Sequence, residues 1–155
     1  MGCARLEAEV YPDKRVADFI QNNFVHARFH ILENKPAFER FGAQWTPTVL
    51  ILDASGVERH RIEGFLPAED FLAQLELGLA KLAFRQKDYS QAERWFHSVC
   101  ETHGEATAAP EACYWEGVAA YKAANEPKHL KETYRKLSKR YPDSEWAKKA
   151  SVWAG

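Results

Sequence analysis

The chain has 155 residues, 28% of them charged and 46% apolar, with a formal net charge of -1. A chain of this length forms one compact domain, or two small domains that share a core. The balanced charge argues against a general nucleic-acid-binding protein, which would carry an excess of Lys and Arg. No run of about 18 apolar residues could cross a membrane, and the first residues lack the apolar stretch of a secretion signal. We therefore expect a cytoplasmic protein with neither nucleic-acid nor membrane partners.

The three cysteines, Cys3, Cys100 and Cys113, form an odd-numbered set without the paired spacing of a metal site. This pattern does not indicate a disulfide scaffold and is typical of a reducing compartment. Cys100 and His103 are one helical turn apart, but a zinc site needs more ligands, so we expect buried thiols in a helical core. His26 and His30 are roughly 13 Å apart along a strand, too far to bind one metal ion. We expect no metal and no cofactor.

The predicted elements of the first half begin with a helix over Cys3–Val10, which Pro12 interrupts because proline lacks an amide proton. A second helix follows over Lys14–Asn22. Apolar and polar residues alternate from Phe24 to Leu32, which predicts a strand with one apolar face. A short helix over Lys35–Phe41 comes next.

The apolar run Thr48–Leu52 predicts a strand covered on both faces. A turn over Asp53–Gly56 leads into Val57–Ile62, so that the two strands form an antiparallel hairpin. Pro67 then opens a long helix to Lys87, at a position where its missing amide proton costs nothing. The apolar positions of this helix continue across the change in composition near residue 67, so we expect the two halves of the chain to share it.

This order of elements resembles the C-terminal two-thirds of a thioredoxin fold. Residues 40–66, RFGAQWTPTVLILDASGVERHRIEGFL, resemble the thioredoxin segment in which a loop enters a cis-proline before an apolar strand, with Pro47 at the cis-proline position and Gly64 at the later glycine. The resemblance implies an α/β fold over residues 1–87, a mixed sheet with flanking helices. It also implies that Thr46 offers its backbone to an extended substrate, with Trp45 as an apolar contact on the rim. The alternative for Trp45 is packing against the neighbouring helix.

Cys3 matches the second cysteine of the thioredoxin C-x-x-C motif, whose first cysteine would fall before Met1. The strand, helix and central strand that the family places earlier are also missing. Either the recorded start is internal to a longer protein, or these parts have been lost and the chain is not a redox enzyme. Cys3 alone cannot cycle between dithiol and disulfide, although a thiolate at a helix N-terminus could still form mixed disulfides. Alternatively, Cys3 is an unreactive small hydrophobe.

Two short patterns recur 38 residues apart in the second half, Ala92, Phe96 and Val99 and then Leu130, Tyr134 and Leu137. They resemble the small and aromatic positions of the tetratricopeptide repeat (TPR), which implies an all-α TPR-like array of helical hairpins over residues 88–155. Ser144 is the expected N-cap of a last helix. A plain helical bundle is the alternative.

The resemblance to thioredoxin implies thiol–disulfide exchange on protein or peptide substrates. The alternative is a non-catalytic peptide-binding module that uses the Pro47 loop and the TPR-like helices, and the incomplete cysteine motif leaves open whether the chain is an enzyme. Without the central strand, the strands Phe24–Leu32 and Thr48–Leu52 must find other partners. They either pair directly in parallel, giving a three-stranded sheet with Val57–Ile62, or a second copy covers the exposed edge in a homodimer.

Overall fold

The computed structural model describes residues 1–155 and contains eight α-helices and one two-stranded sheet. The N-terminal elements are α1 (Gly2–Arg5), a π-helical turn (Leu6–Val10), α2 (Lys14–Asn23), α3 (Lys35–Phe41), β1 (Thr48–Leu52) and β2 (Glu58–Glu63). They are followed by α4 (Ala68–Arg85), α5 (Tyr89–Thr102), α6 (Ala109–Ala124), α7 (Lys128–Arg140), α8 (Glu145–Ala150) and a 3-10 turn (Ser151–Trp153).

The predicted helices of the first half are present, and local signals set their ends. Asp13 caps α2, since its carboxylate accepts a hydrogen bond from the Arg15 amide at 2.9 Å. Gly42 ends α3 in the left-handed conformation, with φ of 59°, which glycine adopts without a steric penalty. Helix α4 begins one residue after Pro67, which occupies the N-cap position.

The strand predicted over Phe24–Leu32 is wrong. Residues 24–30 have no regular secondary structure, and residues 31–33 form a turn. The direct parallel pairing of this segment with Thr48–Leu52 is therefore also wrong, because β1 pairs with β2 alone. Apolar and polar residues do alternate here, but a strand requires a neighbour to accept its backbone hydrogen bonds. Val25 is fully exposed and Phe29 is half exposed.

The hairpin of β1 and β2 is antiparallel, as predicted, with Val49 opposite Ile62 and Ile51 opposite His60. The Asp53 carboxylate organises its turn by accepting hydrogen bonds from the Ser55 and Val57 amides at 2.9 and 3.0 Å. The prediction that β1 is covered on both faces is wrong. Of its five residues Ile51 alone is buried, whereas Leu52 is 37% exposed.

Two hydrophobic cores are joined by α4, which contributes side chains to both. The first core lies between the N-terminal helices, the hairpin and α4; its α4 members are Phe71, Leu72 and Leu75. The second core fills the helical tail; its α4 members are Ala73, Leu77, Ala80 and Ala83. The expectation that the two halves share this helix is confirmed.

The helical tail packs α5 against α4 and α6, and α7 against α6. Cys100 on α5 and Cys113 on α6 form a disulfide and are 0% and 1% exposed. The expectation of free buried thiols is wrong for this pair, because the antiparallel α5 and α6 bring their Cα atoms to 4.9 Å. Ser144 caps α8, as predicted, by accepting a hydrogen bond from the Ala147 amide at 3.0 Å. None of the helices combines the length and apolar character required to span a membrane.

Candidate functional site

A groove of about 510 Å³ lies where the start of the chain meets the loop before β1. It is lined by Met1 and Gly2, by the loop Gln44–Pro47, and by the side chains of Ile31 and Phe65. The peptide bond between Thr46 and Pro47 is cis. Most of the exposed lining is apolar carbon, so the groove suits an apolar or extended peptide segment.

The loop is fixed to the hairpin by two hydrogen bonds. The Thr48 hydroxyl donates to the Trp45 carbonyl at 2.7 Å, and the Gly64 amide donates to the Pro47 carbonyl at 2.8 Å. Pro47 is buried, whereas Thr46 is exposed and Trp45 is 68% exposed. The loop therefore presents the exposed residues Trp45 and Thr46 on a supported turn.

The N-terminal helix packs against the same loop. A Cβ atom added to Gly2 would lie 2.7 Å from Pro47 Cδ, closer than packed carbon atoms approach. Cys3 is the next residue; it is exposed and is the single free cysteine of the chain. Its side chain is not part of the groove wall, so the four residues Cys3, Trp45, Thr46 and Pro47 form one region but not one cavity.

Charged and aromatic side chains brace this helix. The Arg5 guanidinium lies over the Phe65 ring at 3.9 Å and forms an ion pair with Glu9 at 2.9 Å. On the other side, Arg28 reaches Glu7 at 2.8 Å. Burial raises the pKa of the nearby Tyr11 hydroxyl, which keeps this phenol neutral.

The sequence model of the thioredoxin-like domain matches residues 1–79, slightly more than half of the chain. The chain belongs to the thioredoxin-like domain family. At the level of the family, this domain indicates thiol–disulfide oxidoreductase-type function. No curated protein and no solved structure matches the chain. The matched thioredoxin-like region ends within α4, so it includes Cys3, the Pro47 loop and the hairpin but not the helical tail.

One group of metal-type ligands lies in the tail, outside the thioredoxin-like region. Atoms of His97, Glu101 and Glu116 lie within 4.8 Å of one another. The Lys136 ammonium reaches Glu101 at 3.0 Å and Glu116 at 2.9 Å, and the Arg140 guanidinium reaches Glu101 at 2.9 Å, so two cationic side chains already balance the charge of the two carboxylates. These two carboxylates in turn raise the pKa of Lys136 against the opposing effect of its burial, which keeps the ammonium charged.

Sequence reasoning missed a partly buried cluster of polar side chains around His103. His103 is 4% exposed and places Nδ1 2.5 Å from Glu69 and Nε2 3.3 Å from Glu76. The hydrogen bond from His103 lowers the pKa of Glu69, and a second bond from Arg15 adds to this effect. The available signal was Glu76, a charged residue among the apolar positions of α4. The cluster ties α2, α4 and α5 together and does not reach the groove.

Proposed function

We propose that the chain takes part in thiol–disulfide exchange with protein or peptide substrates, with Cys3 as the reacting group and Trp45, Thr46 and Pro47 as the substrate-holding loop. The observation that carries the proposal is the contact between Gly2 and Pro47. It brings the cysteine-bearing helix to the loop that exposes the Trp45 ring and the residue Thr46. A substrate strand laid along this loop would have its sulfur atoms beside Cys3.

The exchange step uses a single thiolate. Cys3 Sγ attacks one sulfur of a substrate disulfide, the substrate S–S bond breaks, and the departing thiolate takes a proton from water. The product is a mixed disulfide between Cys3 and the substrate. Cys100 and Cys113 cannot resolve it, because they are buried and already joined to each other. Release therefore requires an external thiol, whose thiolate attacks the Cys3 sulfur, displaces the substrate thiolate and becomes joined to Cys3 in a new disulfide. A second external thiol group then attacks that disulfide and frees Cys3.

Trapping the mixed disulfide tests this proposal. An apolar peptide carrying an activated disulfide should add once to the chain, and mass spectrometry should place the adduct on Cys3. Trp45→Ala should slow the addition, and Val152→Ala, which removes an exposed apolar side chain from the tail, should leave the rate unchanged. Equal rates for a peptide disulfide and a small neutral disulfide, in the native chain and in Trp45→Ala, would contradict a substrate-holding loop.

A non-catalytic peptide-binding module is the second candidate. It is favoured by the position of the Cys3 side chain outside the wall of an otherwise apolar groove. In this case a peptide without cysteine should bind with equal affinity to the native chain and to Cys3→Ser. The Trp45→Ala substitution should weaken this binding. Titration calorimetry distinguishes the two candidates, because the exchange function predicts tight capture only when both Cys3 and a substrate disulfide are present.

We also propose that the tail is a TPR-like array. Support comes from two of the recurring pairs. Val99 and its equivalent Leu137 are both 0% exposed, and Phe96 is 1% exposed while its equivalent Tyr134 packs on the same core. A small polar recess lies between the helices, lined in part by Glu93, Gly117 and Lys136. A peptide bound there should shift the amide resonances of these three residues. Shifts confined to the Trp45 loop would argue that the tail is only a structural support.

A further inference from the structure

The imidazole of His103 lies at the C-terminal end of α5, between two carboxylates of α4. Its Nδ1 is 2.5 Å from Glu69 Oε1, and its Nε2 is 3.3 Å from Glu76 Oε2. The residue is 4% exposed. Nε2 is the one buried side-chain nitrogen or oxygen atom of the chain that makes no aligned hydrogen bond, although a carboxylate lies within ion-pair distance. The ring is therefore bonded on one side and unmatched on the other.

The two carboxylates depend on His103 to different degrees, because their other partners differ. Glu69 also pairs with Arg15 of α2 at 2.7 Å. Glu76 is 8% exposed, and its ion pair with His103 is the only one that it forms. The Ser98 hydroxyl, a neutral group, donates to Glu76 at 3.0 Å. A buried carboxylate without a cation is strongly destabilising, so Glu76 depends on a positive charge at His103.

Protonation decides whether the ring can serve both carboxylates. A neutral imidazole has one N–H group and one lone pair, whereas the protonated ring has two N–H groups. When Nδ1 donates to Glu69, the neutral ring turns its lone pair toward the Glu76 carboxylate, which is itself only an acceptor. The protonated ring can donate to both carboxylates after a small rotation that aligns Nε2–H with Glu76. These surroundings therefore match the protonated ring.

The other charges near this end of α5 do not replace the charge of His103. Arg140 of α7 reaches the same end of the helix, where it donates to the Cys100 carbonyl at 3.1 Å and pairs with Glu101 at 2.9 Å. Glu105 is exposed and contributes no positive charge. Because His103 ends α5, it also lies beside the carbonyl groups of the last helical turn, which favour a nearby cation.

The α5–α6 connection, residues 103–108, starts at His103 and lies on the first turn of α4. The amide and the hydroxyl of Thr107 both donate to the Asp70 carboxylate, at 2.9 and 3.2 Å. Ala106 is 4% exposed and belongs to the core of the tail. The bonds of His103 and of Thr107 thus hold the same connection on the helix that joins the two cores.

We propose that His103 is a pH-sensitive latch between the α5–α6 connection and α4. The protonated ring holds the connection on α4. Loss of the proton to water leaves Glu76 without its cation and releases the connection. Closure and protonation are linked, so raising the pH through the range in which histidine titrates, about 5 to 8, opens the latch. The latch does not depend on the chemistry of Cys3.

Amide hydrogen exchange tests the latch in the full chain, with Cys3→Ser to prevent intermolecular disulfides. The protection of the Thr107 amide, relative to an unstructured peptide at the same pH, should fall by roughly tenfold from about pH 5.5 to about pH 8. A hydrogen bond between charged groups contributes at least this factor. The Val57 amide donates to the Asp53 carboxylate at 3.0 Å and is the internal control, whose protection should stay constant. The nitrogen resonances of the His103 ring should change with the same midpoint as the protection of Thr107.

Glu76→Gln should make the connection insensitive to pH, because the new amide group carries no charge and can donate to the neutral ring. The matched control is Glu105→Gln, the same substitution at an exposed carboxylate of the connection, which should behave as the parent. Constant protection of Thr107 in the parent would overturn the proposal, and so would an equal loss of protection in the parent and in Glu76→Gln. Should Glu76→Gln not fold, the parent alone decides, because different midpoints for the His103 ring and for Thr107 would also overturn the latch.

Discussion

Gly117 on α6 touches Thr133 on α7 so closely that a Cβ atom at position 117 would lie 2.7 Å from Thr133 Cβ and 1.7 Å from Oγ1. Thr133 is buried, and its hydroxyl donates a hydrogen bond to the His129 carbonyl at 2.8 Å. We expect Gly117→Ala to lower the free energy of unfolding by about 1–3 kcal/mol, the usual cost of overpacking. This exceeds the ~1 kcal/mol that alanine gains over glycine in a helix. Urea denaturation measures the difference.

The control for this prediction is Gly155→Ala, where nothing lies within 4 Å of the added atom and stability should not change. Adding Thr133→Ala to Gly117→Ala should recover part of the loss, because it removes the two outer atoms of the clash. A Gly117→Ala chain as stable as the parent would show that α6 and α7 are not in close contact.

The disulfide between Cys100 and Cys113 should contribute measurably to the stability of the tail. A loop of 13 residues loses conformational entropy in the unfolded chain when it is closed, so reduction should lower the free energy of unfolding by about 3 kcal/mol. Denaturation with and without a dithiol reductant, in Cys3→Ser, measures this effect. The double variant Cys100→Ala/Cys113→Ala should not respond to the reductant. An equal response in that variant would mean that the reductant acts elsewhere.

Asp53 should make the hairpin sensitive to acid. Hydrogen bonds from Ser55, followed by Val57 and Arg59, hold the pKa of Asp53 well below its usual range. A carboxylate with a depressed folded-state pKa stabilises the fold above its unfolded pKa of ~3.9, and this stabilisation is lost as the pH falls through the folded-state value. Asp53→Asn should therefore have a lower free energy of unfolding than the parent at neutral pH. This gap in the free energy of unfolding should narrow below about pH 4.

Asp143→Asn is the matched control, because this exposed carboxylate has no hydrogen bond or ion pair through its side chain. Thermal unfolding from pH 7 to pH 2, over the range in which Asp titrates, should show a pH-dependent gap for Asp53→Asn and none for the control. A gap of constant size across this range would show that the Asp53 charge is not responsible.

The chain should not act as an efficient disulfide reductase by itself. In an insulin-reduction assay with a dithiol donor, we expect a rate no higher than that of Cys3→Ala. The mixed disulfide at Cys3 has no neighbouring thiol to resolve it, so a cycle through Cys3 needs further attacks by the donor, which reduces insulin directly without that detour. Turnover above the Cys3→Ala rate would contradict this expectation. Single addition of substrate to Cys3 would still occur, which separates this result from a failure of the proposed function.

Local patterns predicted most elements of the fold because the signals lie within a few residues. Thr48–Leu52 and its hairpin partner were found from an apolar run and a turn sequence, and the end of α3 coincides with Gly42. The segment Phe24–Leu32 carries an equally regular pattern, yet it is not a strand. Periodicity reports which side chains would share a face, but it does not report whether a neighbouring strand is present.

Contacts between secondary-structure elements were harder to predict from the sequence. The pairing of Cys100 with Cys113 was missed, although the two cysteines lie at similar distances on either side of the loop that joins α5 and α6. In an antiparallel helical hairpin such positions face each other. The site residues Cys3 and Pro47 were named through a resemblance, and the contact between their elements through Gly2 appears only in three dimensions.

The shared helix α4 limits how this chain can be divided. Its Phe71 and Leu75 belong to one core, and its Leu77 and Ala80 belong to the other. A cut after Lys87 would remove the Leu77 side of the helix from the tail and leave an apolar groove open along α5. A cut before Ala68 would remove Phe71 and Leu75 from the first core and expose the apolar side chains of the hairpin that pack against them. The two halves therefore cannot be exchanged between proteins as independent modules, and any recombination that preserves both must carry α4 with each of them.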